Sequence, residues 1–123
     1  MVHGVEIWSL QEADKKIKEY IFKRDGYKCV VTGDLDFLTP AHFHGRGNYA
    51  VRFDPDNLIT LNLWTHQVWE TKEMKETEHK DFMIKFLGEK RFRHLNWKAN
   101  RPMTKEKSII ECMKFLGALP VNK

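Results

Sequence analysis

Apolar residues fall at helical spacing near the start of the chain. Ser9 followed by Glu12 has the form of a capping box, Ile17, Tyr20, Ile21 and Arg24 then share a helix face, and Gly26 stops the run. This predicts a helix over 9–24. The pattern then changes. Val30 and Val31 before Thr32-Gly33-Asp34 predict a short strand entering a tight turn, and Phe37 to His44 reads as a second strand. Gly45 to Asp56 is glycine-rich and polar and reads as a long loop. Leu58-Ile59-Thr60-Leu61 is short, apolar and β-compatible.

Helical spacing returns after that and persists. Asn62 or Thr65 can cap a helix running to about Lys75. A further helix is expected over Glu76–Leu87, with Phe82, Met83, Phe86 and Leu87 on one side and Gly88 as its stop. Another spans Glu89–Ala99, and Pro102 separates it from a last helix, Thr104–Leu116, ended by Gly117. The expected class is α+β: a small two-stranded antiparallel ribbon with an adjoining helix, and additional helices at both ends. No repeat or linker divides the 123 residues, so a single domain is expected over 1–123: an N-terminal helix (1–26), a central unit (27–75) and C-terminal helices (76–123).

Hydrophobic residues make up 41% of the chain and charged residues 31%, which fits a globular protein. No apolar run approaches the ~18 residues that cross a bilayer, so no membrane partner is expected. The opening residues MVHGVEIWSLQEADKK match neither an export signal nor a lipidation motif, and the cytoplasm is the expected location. Cys29 and Cys112 lie far apart and read as reduced, buried small hydrophobes. The net charge of +4 is compatible with a nucleic-acid partner without requiring one. Its distribution says more. Between Gly88 and Lys107, Lys90, Arg91, Arg93, Lys98, Arg101, Lys105 and Lys107 face only Glu89 and Glu106. Phe92 and Trp97 lie inside this run, where aromatic rings can serve either a core or a base stack.

The segment TPAHFHGRGN places His42 and His44 one residue apart before a Gly-Arg-Gly turn. On a strand the two would share a face. Asn57 follows after the loop, and His66 comes near the start of a predicted helix. Histidine, asparagine and histidine at a strand end, after a loop and on a helix resemble the HNH motif of the ββα-metal endonuclease superfamily. Arg52-Phe53-Asp54-Pro55-Asp56-Asn57-Leu58 with Leu61 strengthens the resemblance, as does Ala41-His42-Phe43-His44-Gly45-Arg46-Gly47, which is similar to small phage HNH proteins of the lambdoid Nin-region recombination type. It is strong over about 24–70 and weaker over 76–100.

The resemblance implies a ββα-metal core and a phage-derived DNA endonuclease or nickase working in a bacterial host. It implies His42 as general base, Asn57 as the residue that orients it, and His66 as ligand to a single divalent cation. A base of near-neutral pKa and a charge-neutralising metal are what phosphodiester hydrolysis needs. Mg²⁺ or Mn²⁺ suits a site completed by water and phosphate oxygens. Arg46, Arg52, Arg91, Arg93 and Lys98 are the candidate contacts to the DNA backbone.

Two departures shape these expectations. Many HNH proteins hold a structural zinc between two Cys-x-x-Cys pairs. Here the pairs read Cys29-Val30-Val31-Thr32 and Asn62-Leu63-Trp64-Thr65, so no thiolate zinc site is expected, and packing by Val30, Leu63 and Trp64 is expected to replace it. Trp64 and Trp69 are expected to build the core beneath His66. Many members also place an acid or a histidine before the base, where this chain has Ala41. A second ligand is then expected from His44, by strand periodicity, or from Glu70, four residues after His66 on a helix. With Ala41 and the missing thiolates, a non-catalytic nucleic-acid- or partner-binding module is the alternative. His3, His79 and His94 belong to no constellation in the sequence.

Overall fold

A computed structural model describes residues 6–71 and 76–120. Helix α1 spans Leu10–Arg24, with Ser9 as its cap: the Ser9 hydroxyl accepts the Glu12 amide at 3.1 Å. It buries Ala13, Ile17 and Ile21, one residue per turn. The expected first strand is absent. Val30 and Val31 lie in a tight turn closed by Gly33 N–H to Cys29 O at 2.8 Å and Cys29 N–H to Asp34 O at 2.9 Å, and the Val30 amide donates to Thr60 O at 3.0 Å without extending into a ladder.

The ribbon consists of β1, Leu38–His42, and β2, Leu58–Asn62, antiparallel with Leu38 opposite Asn62 and His42 opposite Leu58. Strand β1 is shorter than expected and stops at His42. A 3-10 turn, Pro55–Asn57, leads into β2, with Asp54 accepting the Asp56 amide at 2.9 Å. Every residue of β2 is buried. Its period of two divides the interior. Ile59 and Leu61 face one cluster with Ala41, Trp69, Met83 and Leu95, and Leu58 faces another with Ile17, Ile21, Ile109 and Met113.

Asn62 caps α2, Leu63–Glu70, by accepting the Thr65 amide at 2.8 Å. The expected extension to Lys75 falls at 72–75, outside the described residues. Helix α3, Glu76–Leu87, and α4, Glu89–Ala99, meet at Gly88, whose φ of +84° needs a residue without a side chain. Helix α5, Lys105–Phe115, is capped by Thr104 and buries Ser108, Ile109, Cys112 and Met113. Among the described residues the architecture is α+β: five helices around a two-stranded antiparallel sheet. Among the described residues no helix is long and apolar enough to cross a membrane.

The four positions that match the zinc pairs are joined by hydrogen bonds, and of the three expected apolar substitutes Val30 packs against the core while Leu63 and Trp64 do not. Leu63 is 42% exposed and Trp64 is 60% exposed, so neither fills the knuckle and Trp64 does not lie in the core; Trp69, 5% exposed, does. Asn62 Nδ2 donates to Thr32 Oγ1 at 3.1 Å and to Asp34 at 2.6 Å, while its oxygen holds Thr65. Burial alone would raise the Cys29 thiol. The Thr32 hydroxyl and the amides of Thr32, Asn62 and Val31 outweigh it and hold the thiol below its usual range. Replacing Ile59 by Ala is expected to cost about 3 kcal/mol, whereas Trp64→Ala stays within about 0.5 kcal/mol. Urea unfolding of the two variants measures both.

Candidate active site

The chain from Phe43 to Pro55 wraps the open end of the ribbon, and Asn57 holds it there. The Asn57 side chain is fully buried. Its Oδ1 accepts the His44 amide at 2.8 Å, and its Nδ2 donates to His44 O at 3.0 Å and to Val51 O at 3.1 Å. Its own carbonyl accepts the Phe43 amide at 2.9 Å. Asn57 touches no atom of the His42 ring; it fixes the backbone immediately after it.

His42 ends β1. Its Nε2 lies 3.0 Å from the carbonyl of Arg52. A carbonyl only accepts, so Nε2 carries the proton and Nδ1 keeps its lone pair. Trp69 Nε1 donates to the His42 carbonyl at 2.9 Å and secures the strand end from the other side. Burial, first, and then the charges of Arg46 and Arg52 lower the His42 pKa to about 4, against the opposing pull of the Arg52 carbonyl and Asp14. The ring is therefore neutral at neutral pH.

His66, on α2, has both ring nitrogens engaged. Nδ1 lies 2.6 Å from Thr39 Oγ1, and Nε2 lies 3.0 Å from Glu70 Oε1. The Thr39 hydroxyl also donates to Leu61 O at 3.2 Å. At 2.6 Å Thr39 Oγ1 and His66 Nδ1 share a hydrogen bond, and Nε2 faces the Glu70 carboxylate. Deprotonated at Nε2, the ring and the carboxylate would present two donor atoms to a cation between them. The pair fits a divalent cation with two protein ligands, the remainder of its shell being water or phosphate oxygen. Among the described residues no group of three or more histidine, cysteine or acidic side chains is set to hold a metal.

The two imidazoles meet at one groove. His42, Thr39, His66 and Glu70 line a groove of about 680 Å³ between α1 and α2, with Asp14, Lys15 and Lys18 on its α1 wall. His44 does not line it. The pleat ends at His42, so strand periodicity does not extend to His44, whose Nε2 meets Asn96 Oδ1 at 2.8 Å on α4.

The predicted basic contacts separate by burial and partner. Arg52 is only 7% exposed; its Nε and Nη2 grip Asp14 at 3.1 and 2.7 Å, and its Nη1 donates to Arg46 O at 3.0 Å. With these donors committed, it is a strut and not a free phosphate contact. Arg46 reaches Asp14 at 3.1 Å but stays 64% exposed at the groove. Arg91 pairs with Asp56, and Lys98 pairs with Asp54 at 2.5 Å, both on the far side of the 3-10 turn. Arg93 is exposed and pairs with Glu89 at 2.7 Å.

Asp14, Thr39 and Trp69 are positioning groups that the sequence pattern did not reveal. His79 is another residue missed there. It lines a second hollow of about 350 Å³ with His42, Arg46 and Glu70, its ring held by Trp69 O at 2.8 Å. Asp14, Thr39 and His79 come from α1, β1 and α3, and no spacing along the chain joins them to the histidines, whereas Trp69, three residues after His66 on α2, lies in the core as expected. No family model, curated protein or solved structure matches the chain.

Two predictions follow from this geometry. Asn57→Ala strands three backbone groups and is expected to cost about 3 kcal/mol, read by urea unfolding. His42 binds its proton less readily folded than unfolded. Between its ordinary value of 6.5 and about 4, the unfolded chain therefore holds more protons, and stability falls as pH drops through that window. The loss is about 3 kcal/mol in full, and His42→Gln is expected to remove that part of the pH dependence in urea titrations.

Proposed function

We propose that the chain is a metal-dependent endonuclease or nickase of the HNH type that hydrolyses DNA phosphodiester bonds. One juxtaposition supports this above all: a neutral His42 with a free Nδ1 shares a groove with the His66–Glu70 pair. Nδ1 of His42 takes a proton from a water molecule, and the hydroxide attacks phosphorus in line with the bond to the 3′ oxygen. That bond breaks, leaving a 5′ phosphate and a 3′ hydroxyl once the departing oxygen takes a proton from solvent. A bound Mg²⁺ or Mn²⁺ at His66 and Glu70 supplies positive charge against the charge that grows on the phosphate. Arg52 positions the base through its carbonyl, and Asp14 holds Arg52. Arg46, Lys15 and Lys18 place cations along the groove where the DNA backbone runs.

A binding module without catalysis is the second reading. It is favoured by Ala41, fully buried beside the base where many family members carry a ligand. Supercoiled plasmid with Mg²⁺ or Mn²⁺ separates the two. Nicking or linearisation is expected from the native chain, with His42→Ala lowering the rate about 100-fold or more. Cleavage that persists undiminished in His42→Ala removes the assignment of the base, and a gel shift without cleavage under either metal establishes the module.

A further inference from the structure

The outer face of α4 carries a column that the groove does not use. His94, Trp97 and Arg101 follow one another at helical spacing. The rings of His94 and Trp97 are nearly parallel, 15° apart with centroids at 5.7 Å, and the Arg101 guanidinium carbon sits 5.3 Å from the indole centroid. Trp97 is 61% exposed, while Phe92 and Leu95 of the same helix are buried. The indole therefore contributes little to either core.

Its surroundings are cationic. Lys90, Arg93 and Arg101 are exposed; among the described residues Lys90 and Arg101 have no ion pair, and Arg93 pairs with Glu89 at 2.7 Å with both side chains largely in solvent. Arg91 and Lys98, on the helix flank, are tied to Asp56 and Asp54 and belong to the framework. A flat aromatic surface ringed by cations complements a flat ring flanked by anions. An unpaired nucleobase with its phosphates has that form, whereas a duplex hides its base faces in the stack. Arg101 is held over the indole by an exposed cation–π contact, which is weaker than a base stack, so it can yield the ring face and turn to a phosphate.

We propose that Trp97, with His94 and Arg101, is a stacking platform for an unpaired base of single-stranded nucleic acid, with Lys90 and Arg93 on the adjoining phosphates. This deepens the nuclease reading by naming the strand state of the substrate, but the binding itself needs neither His42 nor a cation. The test is anisotropy of a labelled oligothymidylate with the full chain in a chelator, beside a blunt duplex of equal length. The single strand is expected to bind more tightly than the duplex. Trp97→Ala is expected to weaken single-strand binding about tenfold, and Trp97→Phe to retain most of it. Arg101→Gln is expected to lower the slope of log affinity against log salt, which Trp97→Ala leaves alone. Equal affinity for duplex, or a Trp97→Ala chain that binds as the native one does, overturns the platform. Because cleavage is read separately, on plasmid and on the same single strand with Mg²⁺ or Mn²⁺, a chain that binds single strands through Trp97 but cuts neither refutes the nuclease and leaves the platform standing.

Discussion

Asn57 has no exposed surface, and its side-chain amide is committed to the backbone of the preceding segment. A loop that crosses the end of a buried strand carries peptide groups that water cannot reach, and each must find a partner inside the protein. Asn57 supplies partners at two separated points, His44 and Val51. It sits at the last position of the 3-10 turn, so the same residue that starts β2 also fixes where β1 stops. The position of His42 follows from that closure, because the chain has no freedom to continue the pleat beyond it.

Helix α1 fastens the same loop at both ends through charge. Near its start, Asp14 grips Arg52, whose carbonyl holds the His42 ring. At its end, Arg24 donates to Pro55 O at 2.5 Å and Leu58 O at 2.7 Å and is paired with Asp25, which in turn accepts the Thr60 amide at 3.0 Å. These are half-buried, multiply bonded ion pairs, and removing one partner leaves an uncompensated charge in a region with little water. Their value here is directional. A guanidinium fork bound at two edges admits one loop geometry, and the groove inherits it.

Much of the helical framework was legible because its signals are local. Ser9, Asn62 and Thr104 cap helices where their side chains reach the next turn, and Gly88 and Gly117 adopt the positive φ that ends one. The failures have a common cause. Val30 and Val31 have strand propensity, but the hydrogen bonds of Cys29 with Gly33 and Asp34 closed a turn first. Trp64 and Leu63 looked like substitutes for a zinc knuckle, but Asn62 made the join with polar bonds and left both exposed. His44 is expected at the metal from strand periodicity and Arg52 at the DNA backbone, and in each case a distant partner, Asn96 or Asp14, decided where the side chain went. Contacts between residues far apart in the chain carry no periodic signature.

The two groove histidines sit in contrasting environments. His42 is largely withdrawn from water and bound through Nε2 to a carbonyl, an arrangement that favours the neutral ring and leaves one basic nitrogen. His66 is oriented through Nδ1 by a hydroxyl that is itself anchored to Leu61, and it shares its Nε2 edge with a carboxylate. One environment disfavours positive charge and the other gathers donors suited to a cation. Glu70 places negative charge beside His66, and Arg46 and Arg52 place positive charge beside His42. The contrast between the two is thus set by the backbone carbonyl of Arg52 and the side chain of Glu70, not by the histidines themselves.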